Sequence, residues 1–121
     1  MTQQIIKQNG RLIAVVQSDA PLIRDVSSAL DLIASIRHAA DCDRIAVNKQ
    51  ALSEDFFTLS TCLAGEILQR FINYQVKFAV FGDFSGYTSK PLRDFIRESN
   101  RGRDIFFTDT AEQAVERLAA H

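Results

Sequence analysis

The chain has no tryptophan, two histidines, two cysteines and two prolines among its 121 residues, and the shortages remove whole classes of function. Only His38, beside Ala39-Ala40, and His121, at the last position, could serve a Ser-His-Asp arrangement, and neither sits well for one. Cys42 and Cys62 are far apart and neither belongs to a C-x-x-C pair, so there is no zinc knuckle and no dithiol motif. Asp41 and Asp43 flank Cys42, yet no histidine is near enough in sequence to suggest a metal site, and no cofactor is expected. Two thiols in a reducing compartment is the plainer reading of the cysteines; a disulfide between them stays open. No stretch reaches the roughly 20 apolar residues that span a bilayer. Met1-Thr2-Gln3-Gln4 lacks the features of a signal peptide, so a cytoplasmic location without membrane association is expected. A net charge of −1 argues against nucleic acid held by bulk electrostatics, which needs a concentrated basic surface.

What is present is a core. Hydrophobic residues make up 46% of the chain, nine of them phenylalanine, enough for one domain over residues 1–121. Asn9-Gly10 between two apolar-rich runs predicts a type I′ hairpin, because both positions tolerate positive φ. From Asp25 the period changes to helical, with Val26, Ala29, Leu30, Ile33 and Ile36 on one stripe and Asp25 or Ser27 as cap. Arg44 to Asn48 reads as a short strand. Ser53-Glu54-Asp55 opens a short helical turn, followed by a main helix from about Ser60 with Leu63, Ile67 and Phe71 facing inward. The uninterrupted run Phe78-Ala79-Val80-Phe81 reads as a strand covered on both faces, hence part of a parallel sheet. Ser89 caps a helix with Pro91 in its first turn, and Gly102 suits a left-handed cap at its end. Asp104 to Thr108 is the last strand, and Thr110 to Gln113 fits a capping box before a final helix. The order is ββαβαβαβα: an α/β domain with a mostly parallel sheet of about five strands, an N-terminal hairpin and four main helices.

Two stretches, EDFFTLSTCLAGEILQRFINY (Glu54–Tyr74) and GDFSGYTSKPLRDFIRESNRG (Gly82–Gly102), resemble a bacterial domain-of-unknown-function family, number forty-one-eighty. That resemblance covers nearly the whole chain and implies no activity. The order of elements also resembles the STAS fold of sulfate-transporter and anti-sigma-factor-antagonist domains. In the antagonists, a serine opening a helix after a strand is phosphorylated. Leu59-Ser60-Thr61-Cys62-Leu63-Ala64-Gly65 falls at the comparable place, with Leu59 where an aspartate is usual and Cys62 where glycine is common. The resemblance implies Ser60 or Thr61 as phosphoacceptor.

In open parallel sheets, ligands and partners meet the loops at the carboxyl ends of the strands, which directs attention to Asp83–Lys90. Ser85, Thr88 and Ser89 offer hydroxyls there, Lys90 and Arg93 offer cations, and the helix start offers backbone donors, a set suited to an anion. The loop is no phosphate-cradling P-loop, since Tyr87-Thr88-Ser89 separates Gly86 from Lys90. Ser85 also misses the G-x-S-x-G elbow by one position. Arg93, Arg97 and Arg101 form a ridge that Asp94 and Glu98 can neutralise. The consecutive Phe106 and Phe107 can pack on opposite faces of a strand. Phe56 and Phe57 on the short turn, with Phe84 and Tyr87 on the loop, are harder to bury together, and an exposed pair there would mark an interaction patch.

The residues favour a non-catalytic regulatory or protein-interaction module that meets a protein partner through Phe56–Thr61 and Asp83–Lys90, tuned by modification of Ser60 or Thr61. The alternative is a small-molecule or anion-binding protein, at most a weak enzyme, using Asp83, Ser85, Thr88, Ser89, Lys90 and Arg93. A homodimer paired through the edge of the N-terminal hairpin is a third expectation.

Overall fold

Asn9 and Gly10 both take positive φ (54° and 76°), and this tight turn folds β1 (Thr2–Gln8) back on β2 (Arg11–Gln17). The computed structural model describes residues 1–121. After the hairpin come α1 (Val26–Ala40), β3 (Arg44–Asn48), α2 (Glu54–Phe57), α3 (Leu63–Asn73), β4 (Lys77–Phe81), α4 (Lys90–Arg101), β5 (Ile105–Thr108) and α5 (Ala111–Ala120). Short 3-10 turns occupy Lys49–Ala51 and Leu59–Thr61. The chain is therefore α/β, with four long helices and one single-turn helix. No helix is long and apolar enough to cross a membrane.

The strands lie in the order β1-β2-β3-β4-β5; the β1–β2 pair is antiparallel and all others are parallel. Each crossover advances one strand in the same direction, so crossovers of a single hand leave their helices on the same face. Ala29, Ile33 and Ile36 of α1, Ile67 and Phe71 of α3, and Leu92 of α4 share one core with Ile45, Val47, Phe78, Val80 and Phe107. The opposite face is covered by α5 alone, whose Ala114, Val115 and Leu118 meet Ile13, Val15, Ala46, Ala79 and Phe106. Phe106 and Phe107 thus point to opposite faces, as strand geometry requires. Phe78 is wholly buried and stacks on Phe71 with ring centroids 4.1 Å apart. Burial on that scale stabilises by roughly 2–3 kcal/mol per ring.

Local signals fix the helix ends, with two corrections. Asp25 caps α1 through Ser28, Ser89 caps α4, and Thr110 forms the capping box of α5 with Gln113. The main helix was expected from Ser60 but starts at Leu63, behind Cys62, which adopts φ 63° and caps with no side chain. Thr61 makes that displacement: its hydroxyl lies 2.8 Å from both Asp55 O and Thr58 O, sharing its one proton between the two carbonyls, and winds residues 59–61 into a separate turn. Gly102 is not left-handed either; its φ is −85°, and its N–H closes α4 on Ser99 O at 3.0 Å. Both cysteines are free, Cys42 buried and Cys62 exposed.

Candidate functional site

The carboxyl ends of β2 to β5 deliver Ser18, Asn48, Gly82 and Thr108 to one rim, and the helices leave from it. Two tertiary contacts organise this rim. Asn48 bridges to the end of β2: Ser18 N donates to its Oδ1 at 2.8 Å, and its Nδ2 donates to Ser18 O at 2.7 Å. Lys49, the next residue, reaches over the end of β4. Its Nζ donates to Asp83 O at 2.9 Å and lies 4.6 Å from the centroid of the Tyr87 ring. The backbone passes so close that a β-carbon on Gly82, whose φ is +155°, would stand 2.8 Å from Lys49 Cβ. Only glycine fits both that torsion and that space.

An aromatic chain then joins the two segments singled out in the sequence. Phe57 meets Phe56 edge-on at 5.1 Å and stacks on Tyr87 at 5.0 Å, 19° from parallel. Phe84 lies 6.1 Å from Phe57 and 5.7 Å from Phe107, and Phe107 in turn meets Phe95 at 6.0 Å. The expected exposed pair at Phe56 and Phe57 does not exist, since they are only 1% and 5% exposed. The loop after β4 folds Phe84 and Tyr87 over Phe57, and Phe57 covers Phe56, so only a sliver of Phe57 is left at the surface. Burying the rings against one another removes more apolar surface from water than either segment could alone.

What remains open between the segments is a groove of about 550 Å³. One bank is Glu54 with residues 57–60; the other is residues 86–89 with Pro91 and Leu92. Phe57, Leu59, Tyr87 and Leu92 supply apolar surface, and the hydroxyls of Thr58, Ser60, Thr88 and Ser89 line its lips. Ser60 is exposed and hydrogen-bonds to nothing in the chain, whereas the Thr61 hydroxyl is held by two carbonyls. The Tyr87 hydroxyl is buried without a partner, and burial, helped by nearby Glu54, pushes its pKa above the ordinary 10.0.

The anion set does not assemble in this groove. Asp83 and Ser85 form a closed turn: Asp83 Oδ1 accepts from Ser85 N at 2.9 Å and Ser85 Oγ at 2.6 Å, which lowers the carboxyl pKa. Lys90 Nζ donates to Asp94 at 2.7 Å, and Arg97 and Arg101 pair with Asp94 and Glu98. Arg93 is exposed and makes no ion pair, but it does not line the groove. Of the six residues only Thr88 and Ser89 do, and Ser89 Oγ also caps Leu92 N. His38 and His121 sit at the carboxyl-terminal ends of α1 and α5, away from the rim, and His121 stacks on Phe106 at 5.4 Å.

Lys49 and Glu54 carry as much of the rim and groove as the residues of Phe56–Thr61 and Asp83–Lys90. Lys49 had a legible signal, since it immediately follows a strand of a parallel sheet. Glu54 was legible only as one of two acidic residues opening the short turn.

The model of the family described as domain of unknown function (DUF4180) matches residues 8–118, and the chain belongs to that family. No curated protein and no solved structure matches the chain.

Proposed function

We propose that this member of the DUF4180 family is a non-catalytic, STAS-like regulatory module that binds a segment of a partner protein in the groove between residues 57–60 and 86–92. The consecutive strand order, the hairpin at one edge and the lone final helix on one face support the STAS-like reading. The observation that carries the binding role is the make-up of the groove: apolar surface bordered by uncharged hydroxyls, with Glu54 its only charge. Extended or helical peptide segments are recognised by such surfaces through apolar side chains and polar rims. Ser60 is the hydroxyl through which the contact is tuned. A phosphate there adds close to two negative charges beside Glu54, which repels an acidic partner and attracts a basic one. Thr61 is the weaker acceptor, because its hydroxyl already holds the turn together.

Capture from the native host with wild type, Thr58→Arg, Thr88→Arg and Ser60→Asp tests the reading. The expected result is a protein retained by wild type, lost with both arginine variants, and changed in yield at least severalfold by Ser60→Asp. Binding indifferent to all three substitutions rejects the groove, and the absence of any Ser60 phosphopeptide across growth conditions rejects the switch.

The second reading, an anion or small molecule held by Asp83, Ser85, Thr88, Ser89, Lys90 and Arg93, is favoured only by Arg93, which has no carboxylate partner. Titration with inorganic phosphate separates the two: heat that Arg93→Ala abolishes would move it to first place.

A further inference from the structure

The two edges of the sheet are treated differently. At one end β5 has four residues, and its outward-facing Phe107 is taken by the side chain of Asn100, which accepts from Phe107 N at 2.7 Å and donates to Phe107 O at 3.1 Å. At the other end β1 runs for seven residues and hydrogen-bonds to β2 alone. Proteins blunt open edges with proline, bulges, short length or several charges. β1 has an unbroken register with β2, no proline, and Lys7 as its one charge. Of the five large apolar side chains left exposed, two lie on β1 or next to it, Ile5 at 39% and Met1 at 75%, and Leu12 at 37% is on the adjoining strand.

We propose that β1 is a dimerisation strand: two copies of this chain join edge to edge, antiparallel, about a two-fold axis at Ile5, and the two sheets become one. The register follows from the hairpin. Gln8 and Arg11 flank a two-residue loop and so exchange both ladder bonds. By alternation Gln8, Ile6 and Gln4 turn their backbone groups toward β2, and Lys7, Ile5 and Gln3 turn theirs outward. A perpendicular two-fold can pair only residues of like orientation. Centred on Ile5, it sets Gln3 against the partner's Lys7 and Ile5 against the partner's Ile5, so every outward N–H and C=O is used. Centring on Gln4 or Ile6 leaves an outward residue of β1 without a partner within the strand. Charge favours the same choice. Lys7 faces a glutamine, and the two lysines stand four residues apart, ~14 Å along the strand, which salt screens. The exposed Ile5 side chains meet at the axis, on the face that also carries Leu12.

Sedimentation of protein without an N-terminal tag, from micromolar to millimolar concentration, tests this. The expected result is a concentration-dependent dimer that Ile5→Pro weakens at least tenfold. That proline removes an outward N–H which the monomer does not use, so the circular dichroism of the variant should match wild type. In a Cys62→Ser background, Ile5→Cys should link two copies under mild oxidation, since opposed Cα atoms of a hydrogen-bonded pair are ~5.5 Å apart, within disulfide reach. Gln3→Cys, ~14 Å from its mate in this register, should link far more slowly. A chain monomeric throughout, a dimer untouched by Ile5→Pro, or equal crosslinking at both positions each overturns the proposal.

Discussion

Asn100 stands in for a neighbouring strand to Phe107: its side-chain amide completes both backbone hydrogen bonds that the outer edge of β5 presents at that residue. Arg117 holds the helix end in place by donating from Nη2 to Asn100 O at 2.5 Å, while its guanidinium lies 4.5 Å from the Phe106 ring centroid. Asn48 serves the end of β2 in the same way through Ser18. Both asparagines therefore extend the ladder where the backbone stops.

Replacing Asn100 by leucine, nearly its equal in shape, should destabilise the protein by about 2–3 kcal/mol in denaturant unfolding. Two partly buried hydrogen bonds are lost, each worth about 1 kcal/mol net, and the groups left on Phe107 add a desolvation cost. A change below about 0.5 kcal/mol would show that water replaces the amide without loss.

Gly82→Ala should cost about 2 kcal/mol or more, because the left-handed torsion and the 2.8 Å approach to Lys49 Cβ both penalise a β-carbon. Adding Lys49→Ala should not rescue the variant, since alanine keeps the atom that clashes. Recovery of thermal stability in the double variant would place the conflict in the outer lysine carbons instead.

Elements whose signals are local were legible in the sequence. Asn9-Gly10 demands its turn, Phe78–Phe81 can only be a strand buried on both faces, and the caps at Asp25, Ser89 and Thr110 each depend on residues within one helical turn. The misreadings arise where distant segments decide. Whether Phe57 is exposed is settled by the loop carrying Phe84 and Tyr87, about thirty residues later. Cys62 opens α3 because Thr61 bonds back to Asp55, an arrangement that competes with simple helix capping. The candidate groove was half visible: its two banks were identified, but not that they face each other, nor that Lys49 clamps the loop between them.

Tyr87→Phe should leave stability unchanged or raise it by up to ~1 kcal/mol, because the hydroxyl is buried without a partner and its removal forfeits nothing. Tyr87→Ala should cost roughly 3 kcal/mol through loss of the stack on Phe57. A marked loss in Tyr87→Phe would mean that the hydroxyl is bonded through water.

Stability should fall in two separate steps on the acid side and one on the alkaline side. Desolvation, and then Arg103 and Arg117, lower the pKa of His121 from 6.5, so its contribution is complete above 6.5 and is lost as pH falls through the folded value. The carboxyls of Asp25, Asp83 and Asp94 are lowered from 3.8, through hydrogen bonds from Ser28, Ser85 and Lys90 respectively, and their contribution disappears only below 3.8. Tyr87 is raised from 10.0 by burial, so stability is lost as pH climbs through its folded value above 10.0. Each step has its own variant. His121→Gln should remove the first acid step, Asp25→Asn should shrink the second while the amide still caps α1, and Tyr87→Phe should flatten the alkaline limb. Denaturant midpoints taken across pH in the four proteins decide it, and an acid profile unchanged by either substitution would assign the loss to other groups.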